Sequence, residues 1–346
     1  MLKPLKGVDS ETETCLRSWL VQDFPGEVEF LFCAESDDEA AITLVEKLQT
    51  NSDKDVQLLI IDQPAGPNVK VSKLIKLAAS AKHDVLCLSD ADTCVSEDFL
   101  IRLVQPLRDQ KIGIVNSCYA ATNPQNAAMW WEAIGINADF WAQVLQAKDL
   151  APMDFALGAV IAMRRDALKS MGGFEPDQEF LADDYRLGQR IIAHDQRIEL
   201  LPMVAECRDP VFGWRQAWQH QIRWARTIRS CRPVAYFFSL LNNTTLWLLL
   251  WLAAPVPPMA CFVAAGLLVR LLVAANLMRR LTGHCRHVPW LWLVWMKDLL
   301  GVLLWILAFT GNTVVWRGTR YRILPGGRLK PLDPAHHNSE TSSEIR

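Results

Sequence analysis

The amino-acid sequence predicts an α/β fold: a mostly parallel Rossmann-like sheet with helices on both faces, followed by a C-terminal transmembrane helical region. Three observations carry this. Short apolar runs alternate with amphipathic segments through residues 1–210, the pattern of right-handed βαβ crossovers. Long apolar stretches with little charge begin at residue 235. The chain combines 51% hydrophobic with 21% charged residues, a mixture expected when a soluble part and a membrane part are segregated.

Taken in order, LKPLKG at 2–7 reads as a strand, and Ser10 is placed to cap a helix. That helix has Cys15, Leu16, Trp19 and Leu20 at helical spacing. QDFPGE at 22–27 is a turn, 28–34 a buried strand, 38–49 a helix, 56–61 a strand and 71–81 an amphipathic helix. A short buried strand at 84–88, a helix from about Glu97 and a strand at 112–119 follow. Residues 155–168 read as a strand and then a short helix, MGGF at 171–174 as a tight turn, and 180–195 as a helix with an acidic first turn. Acids there are favoured by the helix dipole whether or not they do chemistry.

The strand at 84–88 runs directly into Asp90 and Asp92. Ser and Asp punctuate strand ends in ordinary turns, so the pair has a plain reading as solvated turn residues. Its other reading is a divalent-metal site facing a phosphate-bearing ligand. In open α/β sheets, ligands bind outside the carboxyl ends of the strands. Both CAESDD at 33–38 and LSDADT at 88–93 lie at such ends.

Residues 212–233 interleave Trp214, Trp218 and Trp224 with Arg215, His220, Arg223, Arg226, Arg229 and Arg232. Basic residues with aromatic anchors describe a helix lying in a membrane interface. Three apolar segments follow, at about 235–254, 258–278 and 289–311, each near the roughly 20 residues a bilayer crossing needs. Arg270 and the Lys297–Asp298 pair interrupt them, and intramembrane charges are paired or functional. Net charge is −2, so nothing global points to nucleic acid. The nine cysteines show no CxxC spacing and fit small buried hydrophobes in a reducing compartment. The N-terminus lacks the apolar core of a cleavable signal peptide.

Together, Asp90-Ala91-Asp92, ADDY at 182–185 and HQIRWARTIR at 220–229 resemble the D, DxD, D, (Q/R)xxRW series of processive and lipid-directed glycosyltransferases. The likeness is greatest to the ceramide glucosyltransferase family and its bacterial, hopanoid-associated relatives. LKPLKGVD (2–9), GPNVKV (66–71), LGAVIAMRRDAL (157–168) and WRGTRYRILPGG (316–327) also take part. There are departures: Glu35 stands at the first-aspartate position, with Asp37 and Asp38 close behind, and His220 stands at the first position of (Q/R)xxRW, beside Gln221. Family members begin with a transmembrane helix ahead of LKPLKG, so the resemblance also implies a truncated or misannotated start.

The resemblance implies a GT-A type nucleotide-sugar-binding domain at 1–210, an interfacial helix at 211–234, transmembrane or re-entrant helices at 235–311, a basic segment near the catalytic face at 312–330 and a disordered polar tail at 331–346. It implies an inverting transfer of glucose or N-acetylglucosamine from a UDP-sugar to a lipid hydroxyl, ceramide or hopanoid-like. Asp92 would be the ligand of Mg²⁺ or Mn²⁺, with Asp90 near the sugar or ribose. Asp184 would be the base, with Asp183 beside it. Arg223 and Trp224 would complete the site, holding charge on the leaving diphosphate and capping the sugar or acceptor. Glu35, Asp38, Lys70, His220 and Gln221 are the remaining candidates for donor binding, and Arg317 and Arg320 for phosphate contacts. A processive synthase and a non-catalytic membrane scaffold are the competing readings.

If the donor is a UDP-sugar, as the resemblance implies, its cytosolic origin would put the catalytic domain on the cytosolic face, with a bacterial inner membrane the expected setting. Arg317, Arg320, Arg322, Arg328 and Lys330 should stay on that face. Three full crossings would break this parity, so the third segment, with Lys297 and Asp298, is expected to re-enter.

Overall fold

The computed structural model describes residues 1–253, 259–316 and 318–332. The chain opens with β1 (Leu2–Pro4), α1 (Thr12–Leu20), β2 (Glu29–Glu35), α2 (Glu39–Thr50), β3 (Asp55–Ile61) and α3 (Val69–Ser80). β4 (Val85–Ser89), β5 (Thr93–Cys94), α4 (Phe99–Val104) and β6 (Ile112–Ala121) follow. Next, α5 (Ala127–Ile134) passes through a π-helical stretch, Gly135–Phe140, into α6 (Trp141–Leu150). β7 (Val160–Arg164), α7 (Arg165–Ser170), α8 (Asp183–Ala193) and β8 (Arg197–Cys207) complete the α/β part. Then come α9 (Trp214–Cys231), α10 (Pro233–Phe238), α11 (Thr244–Leu252), α12 (Met259–Thr282) and α13 (Leu293–Phe309). The last elements are β9 (Thr313–Trp316), β10 (Thr319–Ile323) and β11 (Leu329–Pro331).

The first eight strands form one sheet in the order β3-β2-β1-β4-β7-β6-β8-β5. β3, β2, β1 and β4 are mutually parallel, as are β6 and β8. β7 is antiparallel to both β4 and β6, and β5 is antiparallel to β8. The sheet is therefore mostly parallel but mixed. Along β2 the side chains alternate as a strand requires. Leu31 and Cys33 join the core beneath α3 and α8, while Phe30, Phe32 and Ala34 join the core beneath α1, α2 and α4.

At the first helix the expected cap is corrected. Asp9, not Ser10, accepts the leading amides: its Oδ1 takes the N–H of Glu11 at 2.8 Å and of Thr12 at 3.0 Å.

A third core joins α5, α9, α12 and α13 through Trp131, Ile134, Ala217, Met278, Leu293 and Leu304. Among the described residues one helix, Ala260–Thr282, is long and apolar enough to cross a membrane. The first apolar segment is broken: Pro233–Asn242 and Thr244–Leu252 meet at a 50° bend and pass the same test only as a pair. α13 has 17 residues and buries Lys297 and Asp298.

The closing strands form a second sheet, β11-β10-β9. It packs Val314, Tyr321, Ile323 and Leu329 against Leu181. Its backbone is stitched to the approach to α8, with Leu181 N donating to Gly327 O at 3.2 Å and Leu329 N to Glu179 O at 2.7 Å. The expected disordered tail at 331–346 is corrected at its start, since Pro331 closes β11 and Leu332 N donates to Arg320 O at 2.9 Å, while 333–346 lie outside the described residues.

Candidate active site

The chain winds outward from β1 to β2 and β3, then returns to place β4 on the other flank of β1. Such a reversal opens a crevice at the strand ends, and Asp90 stands there, directly after β4. Its backbone N–H donates to Ala159 O at 3.2 Å, and Lys3 from β1 lies fully buried beneath it. Lys3 Nζ donates to Ser89 Oγ at 2.9 Å and to the Asp90 carbonyl at 3.0 Å, and stands 4.6 Å from the Trp19 ring centroid. Burial pushes the Lys3 ammonium down to about 7, with the Cys15 thiol and the carboxylates of Asp90 and Asp92 acting the other way.

Lys70, in the first turn of α3, ties the two acidic motifs together. Its Nζ stands 2.8 Å from Asp90 Oδ1 and 3.9 Å from Asp183 Oδ2. Burial works against its charge, but Asp90 and Asp183 outweigh it and hold the ammonium above its usual range. Asn68 reinforces the junction. It caps α3 by accepting from Val71 N at 3.2 Å, and donates to Phe180 O at 2.7 Å and Asp183 Oδ1 at 3.4 Å. Lys70, Asp90, Gly158 and Asp183 line one cleft.

Asp183 and Asp184 begin α8. Burial first, then the neighbouring Asp183 charge, raise Asp184 to about 6, with Lys70 opposing. Two glycines allow α8 to approach the 155–158 segment. A Cβ on Gly188 would stand 2.4 Å from Ala156 N, and one on Gly158 would stand 2.8 Å from Asp184 Oδ2. Fully buried Asp177 anchors the helix by accepting from Arg186 Nε at 3.1 Å and pairing with Arg190.

Asp92 lies two residues beyond Asp90, where its carbonyl accepts from Arg208 N at 2.9 Å. Burial, then Asp90 and Asp209, raise its carboxyl to about 7. Asp209 is itself raised to about 6 by burial, Glu132 and Asp9. These acids are hard oxygen donors whose charges a divalent cation would relieve, so the donor set suits Mg²⁺ or Mn²⁺. Among the described residues no group of three or more His, Cys, Asp or Glu side chains is arranged to hold a metal. A site here would share its ion with ligand oxygens.

α9 carries the third motif. His220 Nδ1 is hydrogen-bonded to buried Glu132 on α5, and its ring centroid lies 4.7 Å from that of Trp224. Trp224 also meets Phe140 of the π-helical stretch at 6.4 Å. Gln221 turns away and accepts from Lys297 Nζ at 2.5 Å. Arg223 is half-buried on the same helix. At the helix end, Arg232 pairs with Asp154 and stands 5.4 Å from the Tyr185 ring, which brings α9 against the start of α8.

The remaining candidates are placed differently. Glu35 is engaged by Lys6 Nζ at 2.6 Å and Lys73 Nζ at 3.1 Å. Burial opposes its charge, but these two lysines carry the carboxyl below its ordinary range. Asp38 caps α2, accepting from Ala41 N at 3.3 Å, and also takes Gly7 N at 2.6 Å. Both acids thus fasten the segment after β1. Arg320 is exposed on β10 and, among the described residues, has no ion-pair partner; Arg317 lies outside the described residues. Glu132 and Asp209 have no place in the sequence reading, and Lys3, Asn68 and Gly158 lie in segments that share the resemblance without being assigned a role there. A lysine inside an otherwise apolar strand was the one local signal, at Lys3.

Residues 1–329 match the family model of glycosyl transferase family 21. A ceramide glucosyltransferase of Candida albicans is 30% identical over 112 residues, covering 29% of this chain and 21% of that protein. Ceramide glucosyltransferase 1 of Caenorhabditis elegans is 20% identical over 362 aligned residues, covering 95% of this chain and 72% of that protein. The chain thus spans about a fifth of the fungal relative's length and nearly three quarters of the nematode one's. In structure, the mannosyltransferase PcManGT from Pyrobaculum calidifontis, solved in complex with GDP-Man and Mn²⁺, superposes with a TM-score of 0.53 at 18% identity, covering 87% of this chain and 85% of that one. The fold is that of the GT-A glycosyltransferases.

Proposed function

The chain belongs to glycosyl transferase family 21, and from that premise we propose that it moves one sugar, glucose or N-acetylglucosamine, from a UDP-sugar to the hydroxyl of a membrane lipid, with inversion. The observation that carries this reading is the junction at Lys70, which links the Asp90 loop to the Asp183–Asp184 turn across the strand crevice. A transfer of this kind needs a group that holds the leaving diphosphate and a base that receives the acceptor proton, close together and on rigid elements.

Asp184 takes the acceptor proton as its oxygen attacks the anomeric carbon; the glycosidic C–O bond to UDP breaks on the opposite face. Its raised pKa suits a base that must be ionised near neutrality yet accept a proton in the transition state. Asp92, with Asp90, would hold Mg²⁺ or Mn²⁺, and the bound ion would neutralise charge on the diphosphate. Arg223 adds a guanidinium to that charge. His220, buttressed by Glu132, stands where the motif series has Gln or Arg. Trp224 caps the acceptor side. Glu35 and Asp38 act one step back, holding the strand ends that face the nucleotide.

The acceptor is a ceramide- or hopanoid-like lipid, and the apolar helices bring the site to it. Phe237, Phe238, Leu241, Trp247 and Trp251 are exposed on α10, α11 and the turn between them, a surface suited to lipid. The catalytic part (1–210), the interfacial helix (211–234) and the basic strands (312–330) share the cytosolic face, and 235–311 enter a bacterial inner membrane.

The test is transfer by purified chain in detergent or bilayer with Mn²⁺, UDP-glucose or UDP-N-acetylglucosamine, and ceramide or a hopanoid alcohol, with lipid products weighed by mass spectrometry. A lipid heavier by one hexose or one N-acetylhexosamine supports the reading. A polymer ladder, or no sugar on any lipid, overturns it.

A further inference from the structure

The notable charged residues outside the site are the ones that interrupt the apolar helices. Lys297 and Asp298 are adjacent on α13 and both buried, and they reach in different directions. Lys297 Nζ donates to Gln221 Oε1 on α9 at 2.5 Å and lies 4.3 Å from the Trp131 ring centroid. Its aliphatic stem passes so near the π-helical stretch that a Cβ on Gly135 would stand 2.7 Å from Lys297 Cε. Asp298 is held by Arg270 of α12 through Nε to Oδ2 at 3.0 Å and Nη2 to Oδ1 at 2.7 Å. The same Arg270 Nη2 donates to Asp139 Oδ1 at 2.6 Å. From α11, Thr245 donates to the Asp298 carboxylate, and Asn243 Nδ2, just before it, to the Asp298 carbonyl at 2.6 Å.

Both arms of this network end beside one residue. Gln221 lies three positions before Trp224 on α9. Asp139 directly precedes Phe140, whose ring meets Trp224. We infer that Lys297 and Asp298 are positioning residues that set Trp224 at the acceptor side of the site, one through Gln221 and the other through Arg270 and the π-helical stretch. A π-helical turn is the wider, less common backbone form that recurs at functional positions, and here it presents Asp139 and Phe140 in succession. Removing one partner of a buried ion pair is costly because it leaves the other charge unpaired. The apolar helices are thereby coupled to the transfer site itself. The role assigned to Trp224 rests on the proposed function; the network does not.

The test uses two near-isosteric variants of the full chain, Lys297→Met and Asp139→Asn, so that each arm is cut separately. The acceptor KM is expected to rise, or transfer kcat to fall, by about tenfold to a hundredfold, as small misplacements do. The donor KM and the rate of UDP-sugar hydrolysis should stay within about twofold of the parent. Hydrogen–deuterium exchange should quicken in the peptide carrying His220–Trp224 and stay unchanged in the one carrying Asp90–Asp92. Equal losses toward donor and acceptor, or unaltered exchange at His220–Trp224, would overturn the inference. If the parent chain itself transfers no sugar, the proposed function fails, while the exchange measurement still decides the positioning role. The chemically milder Lys297→Arg should recover the acceptor KM at least in part; loss equal to that of Lys297→Met counts against it.

Discussion

Gly158 faces Asp184 so closely that a Cβ at 158 would stand 2.8 Å from the Asp184 Oδ2 atom. The glycine is needed for space: its φ is not in the left-handed region. It leaves the carboxylate room where the 155–158 segment and α8 converge. Gly158→Ala should therefore lower kcat by about tenfold or more while leaving thermal stability nearly unchanged, because the carboxylate can move aside at small cost. Gly188→Ala should do the reverse. Its Cβ would meet the backbone of Phe155 and Ala156, and overpacking against backbone costs about 1–3 kcal/mol. Thermal melts and turnover measured side by side check the contrast.

In the proposed mechanism Asp184 must be ionised to act as the base, and its carboxyl is raised to about 6. Transfer should fall as pH drops through about 6 and level off above neutrality. Asp183→Asn removes a charge that raises Asp184, so the acid limb of the profile should move to lower pH while the plateau survives. Asp184→Asn should cut kcat by about a hundredfold to ten-thousandfold with little change in donor KM. A pH–rate profile in which Asp183→Asn abolishes turnover and Asp184→Asn only shifts the limb would exchange the two roles.

Excess EDTA should stop transfer, and Mn²⁺ or Mg²⁺ should restore it, because in the proposed site Asp92 and its neighbours would supply oxygen donors to the ion. Asp92→Ala should remain inactive at every metal concentration while keeping the parent's melting temperature. UDP binding measured by calorimetry with and without Mn²⁺ gives an independent reading. Full activity in EDTA sinks the assignment.

The backbone bonds between 179–181 and 327–329 put the basic strands on the catalytic side of any membrane. With the exposed thiols Cys261 and Cys285 replaced by serine, Lys54→Cys and Arg320→Cys should react with a membrane-impermeant maleimide only after cells are opened. Labelling of Arg320→Cys without Lys54→Cys in intact cells would contradict the hydrogen bonds themselves, and labelling of both would overturn the cytosolic orientation.

The sequence made the first half of the sheet readable, because β2, β3, α2 and α3 announce themselves by local periodicity. It was silent on the direction of β7, since the run VIAMR pairs equally well either way and only the neighbours decide. The helix through 127–150 escaped notice for a related reason. Every residue from Ala128 to Ile134 is buried, so no polar face marks a period, and the π-helical stretch then shifts the register. In the site, the acids at 90, 92, 183 and 184 and Lys70 were legible as motif residues, and the structure brings Lys70, Asp90 and Asp183 together. Glu35 and Asp38 were legible only as acids; that they are spent on Lys6, Lys73 and a helix cap depends on contacts between distant segments. Lys3 and Asp209 carry no spacing that would have marked them.

The sheet formed by β9, β10 and β11 bears on how the molecule comes into being. Its strands are the last described part of the chain to be synthesised, yet they grip the turn that precedes Asp183, and Tyr321 lies within electrostatic reach of Glu35 and Lys6. Synthesis proceeds from the amino terminus and domains fold as they emerge, so the α/β part can assemble early with its crevice unfastened at one edge. Only when the final strands arrive does the loop through the apolar helices close, at a long-range contact that is slow to form. A ribosome stalled before residue 313 would leave the acidic motifs in being but Asp183 and Asp184 loosely held. Closure of the turn before Asp183 therefore waits on strands synthesised after the apolar helices.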